Sequence, residues 1–227
     1  MLLETPTSSP HSQSAAKPQI THAATRDGLA NIADPATSLV IWDRQLPSSL
    51  LDWLSGSAPE HLPHGRILAR HDQIDLAVAS LFEDQPESDH EAAHMLAQDI
   101  IRLAHCYAAI AKSDQVDIRL EVIQHDACRK FHLDNVALRL VTTYIGESTH
   151  YVSPEFSQQA LEQQTAYSGP IETLRAQAVA IFKGSGCGSE NGIVHRSPPI
   201  EGRNQTRLFL CLNTPSSASP VLWHPGQ

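Results

Sequence analysis

Two histidines and one aspartate in the second half of the chain have the types and spacing of a metal-binding site. His132 and Asp134 are separated by one residue within CRKFHLD, residues 128–134. On an extended strand, residues i and i+2 project to the same side, so the imidazole and the carboxylate reach toward one point. His195 follows further along the chain and supplies a third candidate ligand. An isolated H-x-D is also compatible with a buried histidine that is hydrogen-bonded to its neighbour.

Two arginines lie in the predicted strands near this proposed centre. Arg207 opens a strand-like run 12 residues after His195, so a cation follows the third candidate ligand. Arg139 alternates with Val141 and Thr143, so these three side chains project to one side of their strand.

A second motif, HEAAH at residues 90–94, matches the H-E-x-x-H signature of zinc peptidases, in which two histidines hold the metal and the glutamate activates water. Ala97 and Ile100 occupy the positions of the glycine and third histidine of the extended signature. Ser88 and Glu91 form a capping box, which already explains the glutamate. His90 and His94 also lie off the apolar stripe of the predicted helix. A zinc peptidase is therefore the least favoured function.

The elements that must position these residues are a helix followed by strands. A helix is predicted over residues 88–112, because apolar residues recur at steps of three and four. Short runs typical of strands follow, separated by Gly, Pro, Ser and Asn clusters. These predicted strands are 117–124, 137–145, 178–183, 192–195 and 207–212. This order predicts an α+β fold.

Composition divides the chain into one domain and two tails. Residues 1–35 contain four prolines and few large apolar side chains, so we predict a disordered N-terminal tail. A single domain is expected over residues 36–213, with mainly helical support in 36–113 and the β core in 114–213. Residues 214–227 contain three prolines and are predicted as a C-terminal tail.

Charge and hydropathy exclude several classes of function. The 227 residues include 25 acidic and 16 basic side chains, for a net charge of −9. An acidic chain does not offer a broad phosphate-binding surface, so no nucleic acid partner is expected. No apolar run approaches the roughly 20 residues of a membrane span, and no secretion signal is recognisable. The four cysteines never form C-x-x-C, so we expect free thiols in a cytoplasmic protein that does not contact a membrane.

The order of the chemically relevant residues resembles that of the iron(II)- and 2-oxoglutarate-dependent oxygenases. Both have H-x-D, then a buried strand that ends here in Lys-Gly, then a distal histidine and an arginine. The resemblance implies a double-stranded β-helix, a jelly-roll or cupin-like core, with N-terminal supporting helices. It implies that His132, Asp134 and His195 bind Fe(II) and that Arg207 binds the remote carboxylate of 2-oxoglutarate, a task that suits the planar, permanently charged guanidinium. In such a barrel Arg139 would line the interior, where it is either an alternative anion-binding group or part of a structural ion pair with an acid. The implied function is a non-haem dioxygenase that hydroxylates an unknown small-molecule or protein substrate.

A closer resemblance is to a bacterial family without an established activity. It is carried by CRKFHLD (128–134), T-Y-x-G (143–146), KG (183–184) and HRSPP (195–199), and it covers roughly residues 36–213. Genes of that family can neighbour those of zinc-responsive metallochaperone GTPases. The alternative function is therefore a metal-binding accessory protein of zinc homeostasis, which uses the same triad without turnover, holds zinc and has a possible metallochaperone link.

One segment departs from the pattern of that family. After the T-Y-x-G block the family usually reads Pro-Gly-Thr with a tryptophan, whereas this chain has ESTHY at residues 147–151. His150 is therefore either a fourth group on the metal side or a surface substitution.

Overall fold

The computed structural model describes residues 18–86, 90–188 and 192–226, which form a mixture of helices and strands. The strands are β1 (Gln19–Ala23), β2 (Thr37–Trp42), β3 (Gly65–Arg70), β4 (Gln115–Ile123), β5 (Leu138–Ile145), β6 (His150–Tyr151), β7 (Glu172–Thr173), β8 (Val179–Lys183), β9 (His195–Arg196) and β10 (Arg207–Asn213). The α-helices are α1 (Ser48–Gly56), α2 (Ile74–Ser80), α3 (His90–Ala111) and α4 (Ser157–Gln163), and a longer 3-10 helix spans Arg26–Ala33.

Two sheets form a double-stranded β-helix. The large sheet has the strand order β1-β2-β8-β5-β10-β4-β3, and the small sheet has the order β7-β6-β9. An isolated antiparallel bridge between His132 and His195 adds the segment around residue 132 beside β9. From β4 to β10 the chain therefore visits the sheets in the order large, small, large, small, small, large, small, large. This is the jelly-roll order of a double-stranded β-helix, so the predicted fold class is confirmed.

The two faces of the large sheet belong to different apolar cores. Val141, Phe182 and Cys211 of the large sheet meet Tyr151 and Ile193 of the small sheet region in the space between the sheets. Alternate residues of the same large-sheet strands point to the other face, where α1, α2 and α3 cover them. The helices therefore support the sheet from outside and leave the barrel interior free for a site.

Helix α3 and four of the five predicted strands are found close to their predicted positions. The helix is predicted at 88–112 and occupies His90–Ala111. Its buried stripe includes Ala93, Leu96, Ile100, Leu103 and Tyr107. Of the five strands, only the one predicted at 192–195 is displaced, since β9 begins at His195. The proposed capping residue Ser88 lies outside the described residues.

The N-terminal region differs from the predicted tail over residues 1–35. Residues 18–35 include β1, which pairs in parallel with β2, and the 3-10 helix, whose Leu29 and Ile32 are buried. The segment has few apolar side chains, but the strand pairing and the burial of these two residues offset the conformational entropy that is lost when it becomes ordered. Residues 1–17 lie outside the described residues.

Lys183 holds this N-terminal segment against the β core. Its ammonium group is buried and donates hydrogen bonds to the carbonyl oxygens of Asp34, at 2.7 Å, and Pro35, at 3.3 Å. Asp34 is the C-terminal cap of the 3-10 helix, so the lysine satisfies carbonyl groups at the end of that helix. Lys183 is therefore structural, and it does not face the barrel interior that Phe182 lines.

Two further segments add to the sheet. Residues 36–113, predicted as mainly helical support, also contain β2 and β3, which pair antiparallel with β8 and β4. In the predicted tail over 214–227, Leu222 bridges to Leu68 of β3, and the backbone N–H of Trp223 donates to the carbonyl oxygen of Leu68 at 2.8 Å. β2 is absent from the predicted strands, because it is nearly uniformly buried and has no polar alternation.

A buried polar network ties α3 to β5, the strand that carries Arg139. The Tyr144 hydroxyl of β5 donates to Oδ2 of Asp99 at 2.8 Å, and Nη1 of Arg44 donates to Oδ1 of the same carboxylate. Nε of Arg44 donates to the carbonyl oxygen of Gln177 at 2.9 Å. The side chains of Arg44 and Asp99 are only 6% and 7% exposed. The network fixes one face of β5 and leaves its other face to the barrel.

Replacing Asp99 with alanine is expected to lower the free energy of unfolding by about 3–5 kcal/mol, because Arg44 would stay buried without its counter-charge. Urea unfolding followed by circular dichroism measures this loss. Asp52→Ala on the exposed surface of α1 is the matched control and should stay within about 0.5 kcal/mol of the unsubstituted protein. Equal stabilities of the two variants would contradict the role given to the network.

Candidate metal centre

His132, Asp134 and His195 lie together on the interior face of the small sheet. The backbones of His132 and His195 exchange hydrogen bonds of 3.0 and 3.1 Å, and the two ring centres are 4.6 Å apart. Directly opposite residues of antiparallel segments place their side chains on the same face. Oδ1 of Asp134 is 3.5 Å from Nε2 of His132, and Oδ2 is 3.2 Å from Nε2 of His195. Among the described residues, this is the one group of three or more His, Cys, Asp or Glu whose candidate ligand atoms all lie within 4.8 Å of one another.

Both imidazoles turn Nε2 toward the carboxylate. Nδ1 of His132 lies 2.8 Å from the carbonyl oxygen of Lys130, and Nδ1 of His195 lies 3.1 Å from the carbonyl oxygen of Ile193. Because a carbonyl oxygen only accepts hydrogen bonds, the proton of each neutral ring is assigned to Nδ1. Each Nε2 is then left with a free lone pair. A backbone carbonyl on the remote nitrogen is a common support for a metal-binding histidine.

The carboxylate of Asp134 is buried and has one unused oxygen. Nη1 of Arg139 donates to Oδ1 at 2.6 Å, while Oδ2 has no hydrogen-bond partner of acceptable geometry among the described residues. Burial raises the pKa of Asp134, but hydrogen bonds from His132 and His195 when Nε2 of these rings is protonated, together with the charge of Arg139, outweigh burial and hold this pKa well below its ordinary value. A buried anionic oxygen without a donor is costly unless a cation or another donor binds it. This oxygen and the two free Nε2 atoms therefore fit a divalent metal, and such donors suit iron or zinc.

A small cavity of about 80 Å³ opens beside the triad. The residues that line it include Arg119, Cys128, His132, Arg139, Val141, Thr149, His195, Phe209 and Cys211. The His132 side chain is 31% exposed, whereas Asp134 and His195 are 6% and 7% exposed. The triad is therefore reached from the His132 side, through a space with both apolar and charged walls.

Arg207 lies deeper in the same barrel. It is 1% exposed, its Nε donates to the carbonyl oxygen of Glu147 at 2.6 Å, and its Nη2 is buried without a hydrogen-bond partner in the ranges that the structure describes. The guanidinium carbon is 5.2 Å from the centre of the Phe209 ring, which also lines the cavity beside the triad. Burial lowers the pKa of Arg207 to about 10, so the group is still a cation at neutral pH.

Gly146 allows the chain to pass close to this arginine. Its φ is +82°, and a Cβ built on it would lie 2.4 Å from the carbonyl oxygen of Thr206 and 3.0 Å from Cγ of Arg207. The left-handed backbone conformation and the close approach both require glycine. The register of β10 against β5 also shifts between Leu208 and Phe209, and such bulges commonly redirect side chains next to sites.

Arg139 forms an ion pair with Asp134, which is the alternative to an anion-binding role for this residue. Its guanidinium donates from Nη1 to Asp134 and from Nε to Oδ1 of Asn213 at 2.8 Å. Both acceptors belong to the protein. Arg139 therefore differs from Arg207, whose Nη2 has no acceptor among the described residues.

The other candidate histidines lie outside the triad. His150 is half-buried on β6, where its Nδ1 accepts a hydrogen bond of 3.3 Å from Nε of Arg196. Burial lowers the pKa of His150, and the charge of Arg196 lowers it further. His90 and His94 are exposed on α3. Within the described part of the chain, none of the three belongs to a group with metal-ligand spacing.

A larger groove of about 780 Å³ lies on the opposite face of the same segments. Leu133 and Val194 line it, and each is the sequence neighbour of a triad residue that points inward. Strand alternation separates this groove from the triad by the thickness of the small sheet. Its volume therefore does not contribute to the candidate metal centre.

Sequence reasoning missed the residues that support the triad. Asn213, which binds Arg139, is the last member of the alternating interior series Arg207, Phe209, Cys211 and Asn213 of β10. The two-residue alternation of the predicted strand 207–212 identifies this series when it is continued for one more residue. The supporting carbonyl groups carry no sequence signal, because every residue has one.

Three solved structures are similar to this chain at low identity. The Arabidopsis thaliana dioxygenase for auxin oxidation 1, bound to 2-oxoglutarate, is 11% identical over 88% of this chain and 94% of its own, with a TM-score of 0.46. The Kdo hydroxylase KdoO, described as a non-haem Fe(II) α-ketoglutarate-dependent dioxygenase, is 12% identical over 87% and 89%, with a TM-score of 0.47. A BsmA homologue from Methylobium petroleophilum is 13% identical over 86% and 96%, with a TM-score of 0.45. Because these scores lie below 0.5, the fold assignment rests on the strand order of the chain itself.

Two further findings concern the curated proteins and the hydropathy of the helices. None of the curated proteins compared with the chain matches it. Within the described ranges, no helix combines the length and the hydropathy that a bilayer crossing requires.

The family comparison covers most of the chain. Residues 23–213 match the family described as "Protein of unknown function (DUF1826)". The matched range contains the three triad residues, both interior arginines and Asn213. The predicted resemblance to a family without an established activity is confirmed, and the chain belongs to the DUF1826 family.

Proposed function

We propose that this protein is a non-haem Fe(II)- and 2-oxoglutarate-dependent dioxygenase that acts on an unidentified substrate. The observation that carries the proposal is the convergence of His132, Asp134 and His195 on the interior face of a double-stranded β-helix. Two histidines and one carboxylate bind one face of an octahedral ion and leave three positions open. Open positions of this kind are typical of non-haem iron oxygenases.

The chain's own residues prepare the centre for the cofactor. His132 and His195 each offer Nε2, and Asp134 offers Oδ2 while remaining anionic. Val141, Phe209 and Cys211 form apolar walls of the adjoining cavity and limit the access of water. Iron(II) and a 2-oxo acid, when bound, would supply the oxidative chemistry that hydroxylates a C–H bond.

Arg207 is the group proposed to bind the remote carboxylate of 2-oxoglutarate. Its buried Nη2 has no partner within the described part of the chain, and a buried unpaired donor is costly. A carboxylate that approaches along Phe209 would satisfy this donor. A charge-assisted hydrogen bond would then orient the acid relative to the triad.

A metal-binding accessory protein that uses the same triad without turnover is the second candidate function. One observation favours it: Cys128 is exposed and lines the same cavity as His132 and His195. A thiolate is a soft ligand that suits zinc better than a centre made of nitrogen and oxygen donors alone. The metallochaperone link that accompanies this function stays a prediction.

Loss of either triad histidine is expected to weaken metal binding. Titration with Fe(II) or Co(II) under anaerobic conditions should give one equivalent for the unsubstituted protein. His132→Ala and His195→Ala should raise the dissociation constant by more than about 10-fold, since changes in supporting residues alone can cause that loss. His90→Ala on α3 is the control and should bind as the unsubstituted protein does. Equal binding by all four proteins would contradict both candidate functions.

Substitution of Arg207 should weaken the binding of 2-oxoglutarate without changing the binding of iron. Anaerobic Fe(II) with 2-oxoglutarate should give a weak visible charge-transfer band. In Arg207→Gln the 2-oxoglutarate concentration that gives half of this band should rise about 10- to 100-fold, because a charge-assisted hydrogen bond is worth roughly 1.5–3 kcal/mol. In Arg207→Lys this concentration should lie between those of the unsubstituted protein and Arg207→Gln, since lysine keeps the charge and loses the planar fork.

The matched control for this experiment is Arg203→Gln. Arg203 is 52% exposed and pairs with the side chain of Glu147, whose backbone carbonyl binds Arg207. The control should leave the half-saturating concentration unchanged. A metal-loaded protein that gives no band with 2-oxoglutarate would contradict the dioxygenase and favour the accessory function, for which Cys128→Ala should then weaken Zn²⁺ binding.

A further inference from the structure

We propose that Arg139 is a positioning residue that holds Asp134 as a one-oxygen metal ligand. This inference rests on the proposed metal centre and assigns a role to a residue that does not bind the metal itself. It is carried by the chain of contacts from Asn213 through Arg139 to Asp134, together with the different surroundings of the two carboxylate oxygens.

The Arg139 guanidinium is fixed by two acceptors. Nη1 donates to Oδ1 of Asp134 at 2.6 Å, and Nε donates to Oδ1 of Asn213 at 2.8 Å. Asn213 on β10 is the antiparallel register partner of Arg139 on β5, so the second contact comes from a rigid neighbouring strand. A planar group held at two of its nitrogens has little freedom to rotate. Arg139 therefore approaches Asp134 from one fixed direction.

The contact makes the two oxygens of Asp134 unequal. Oδ1 accepts the short hydrogen bond from Arg139. Oδ2 is buried, has no hydrogen-bond donor of acceptable geometry within residues 18–86, 90–188 and 192–226, and lies 3.2 Å from Nε2 of His195. A metal ion would therefore bind Oδ2. If both oxygens bound the ion, one more coordination position would be occupied. By retaining Oδ1, Arg139 preserves the open position that a cosubstrate or dioxygen requires.

The backbone of Asp134 is held separately from its side chain. The N–H and hydroxyl groups of Ser185 donate to the carbonyl oxygen of Asp134 at 2.8 and 3.1 Å. A Cβ built on Gly184 would lie 2.4 Å from the same oxygen, so only glycine permits this close packing. Since the backbone is fixed by the 184–185 turn, the rotation of the carboxylate is the freedom that remains for Arg139 to restrict.

The charge of Arg139 and its orientation of Asp134 have opposite effects on metal affinity. A guanidinium next to a divalent cation repels it, so the charge of Arg139 alone weakens binding. Correct orientation of Asp134 strengthens binding. The two contributions can therefore be separated by the direction of the change when Arg139 is replaced.

The test measures Co(II) dissociation constants and Co(II) visible absorption for the unsubstituted protein, Arg139→Lys, Arg139→Met and Arg119→Met. Arg119 lines the same cavity but pairs with Glu121, so Arg119→Met removes a charge from this cavity without touching the Asp134 contacts. Both Arg139 variants should bind Co(II) about 10-fold more weakly, as for other losses of supporting residues at metal sites. Their d–d bands should change in intensity, because a bidentate carboxylate changes the coordination number. Arg119→Met should keep the band and bind equally or slightly more tightly.

Several outcomes would overturn the inference. Tighter Co(II) binding by Arg139→Met, with unchanged binding by Arg139→Lys, would mean that Arg139 acts through its charge alone. Lower stability of both variants with unchanged affinity and spectrum would mean that its role is structural. In both cases the metal centre itself would remain, whereas absence of Co(II) binding by the unsubstituted protein and Arg119→Met would remove the proposed function together with the inference.

Asn213→Ala provides a second measurement if the Arg139 variants do not fold. It keeps the charge of Arg139 and removes the acceptor that orients its guanidinium. A smaller loss of Co(II) affinity and a spectral change in the same direction are expected. Unchanged affinity and an unchanged spectrum in a folded Asn213→Ala protein would contradict the positioning role.

Discussion

The pair of backbone hydrogen bonds between His132 and His195 is the constraint on which the candidate centre depends. These bonds join two segments that are 63 residues apart in the chain and set both imidazoles on one face. They also complete the small sheet by adding the segment around residue 132 beside β9. A shift of one residue in this pairing would turn a histidine toward the outer groove, because strand side chains alternate with a period of two. Fold and site thus depend on the same register.

The buried charges around this bridge form a connected series of polar contacts. The backbone carbonyl groups of Lys130 and Ile193 orient the imidazoles, the imidazoles flank Asp134, and Asp134 meets Arg139, which is held by Asn213. Each member limits the orientation of the next. Buried polar groups are costly when partly satisfied and rigid when fully satisfied. Within the described residues, Oδ2 of Asp134 has no hydrogen-bond partner, and a cation bound to this oxygen and to Nε2 of both imidazoles would complete the arrangement.

The parts of this arrangement that could be predicted from sequence are those with a local period. The two-residue alternation places His132 with Asp134 and Arg139 with Val141, and the helical period identifies the buried face of α3. The pairing of residue 132 with residue 195 has no local signal, because it is a contact between distant segments. The resemblance to the oxygenases predicts that residues 132 and 195 meet, and the observed strand order agrees with this prediction. Segments that rely on pairing rather than composition, such as β1 and the two-residue strands β6, β7 and β9, could not be identified from local pattern.

The two buried arginines of the barrel show how hydrogen-bond satisfaction separates structural groups from binding groups. Both were candidates for the same carboxylate when only the sequence was considered. Arg139 uses its donors on Asp134 and Asn213, and both acceptors are part of the fold. Arg207 has a buried Nη2 with no acceptor among the described residues, although desolvation makes such a donor expensive. The unpaired N–H group at Nη2 of this buried cation bears a cost that an anionic ligand would remove. The different surroundings of the two guanidinium groups are therefore the basis for the different roles proposed for them, support of Asp134 for Arg139 and recognition of an acid for Arg207.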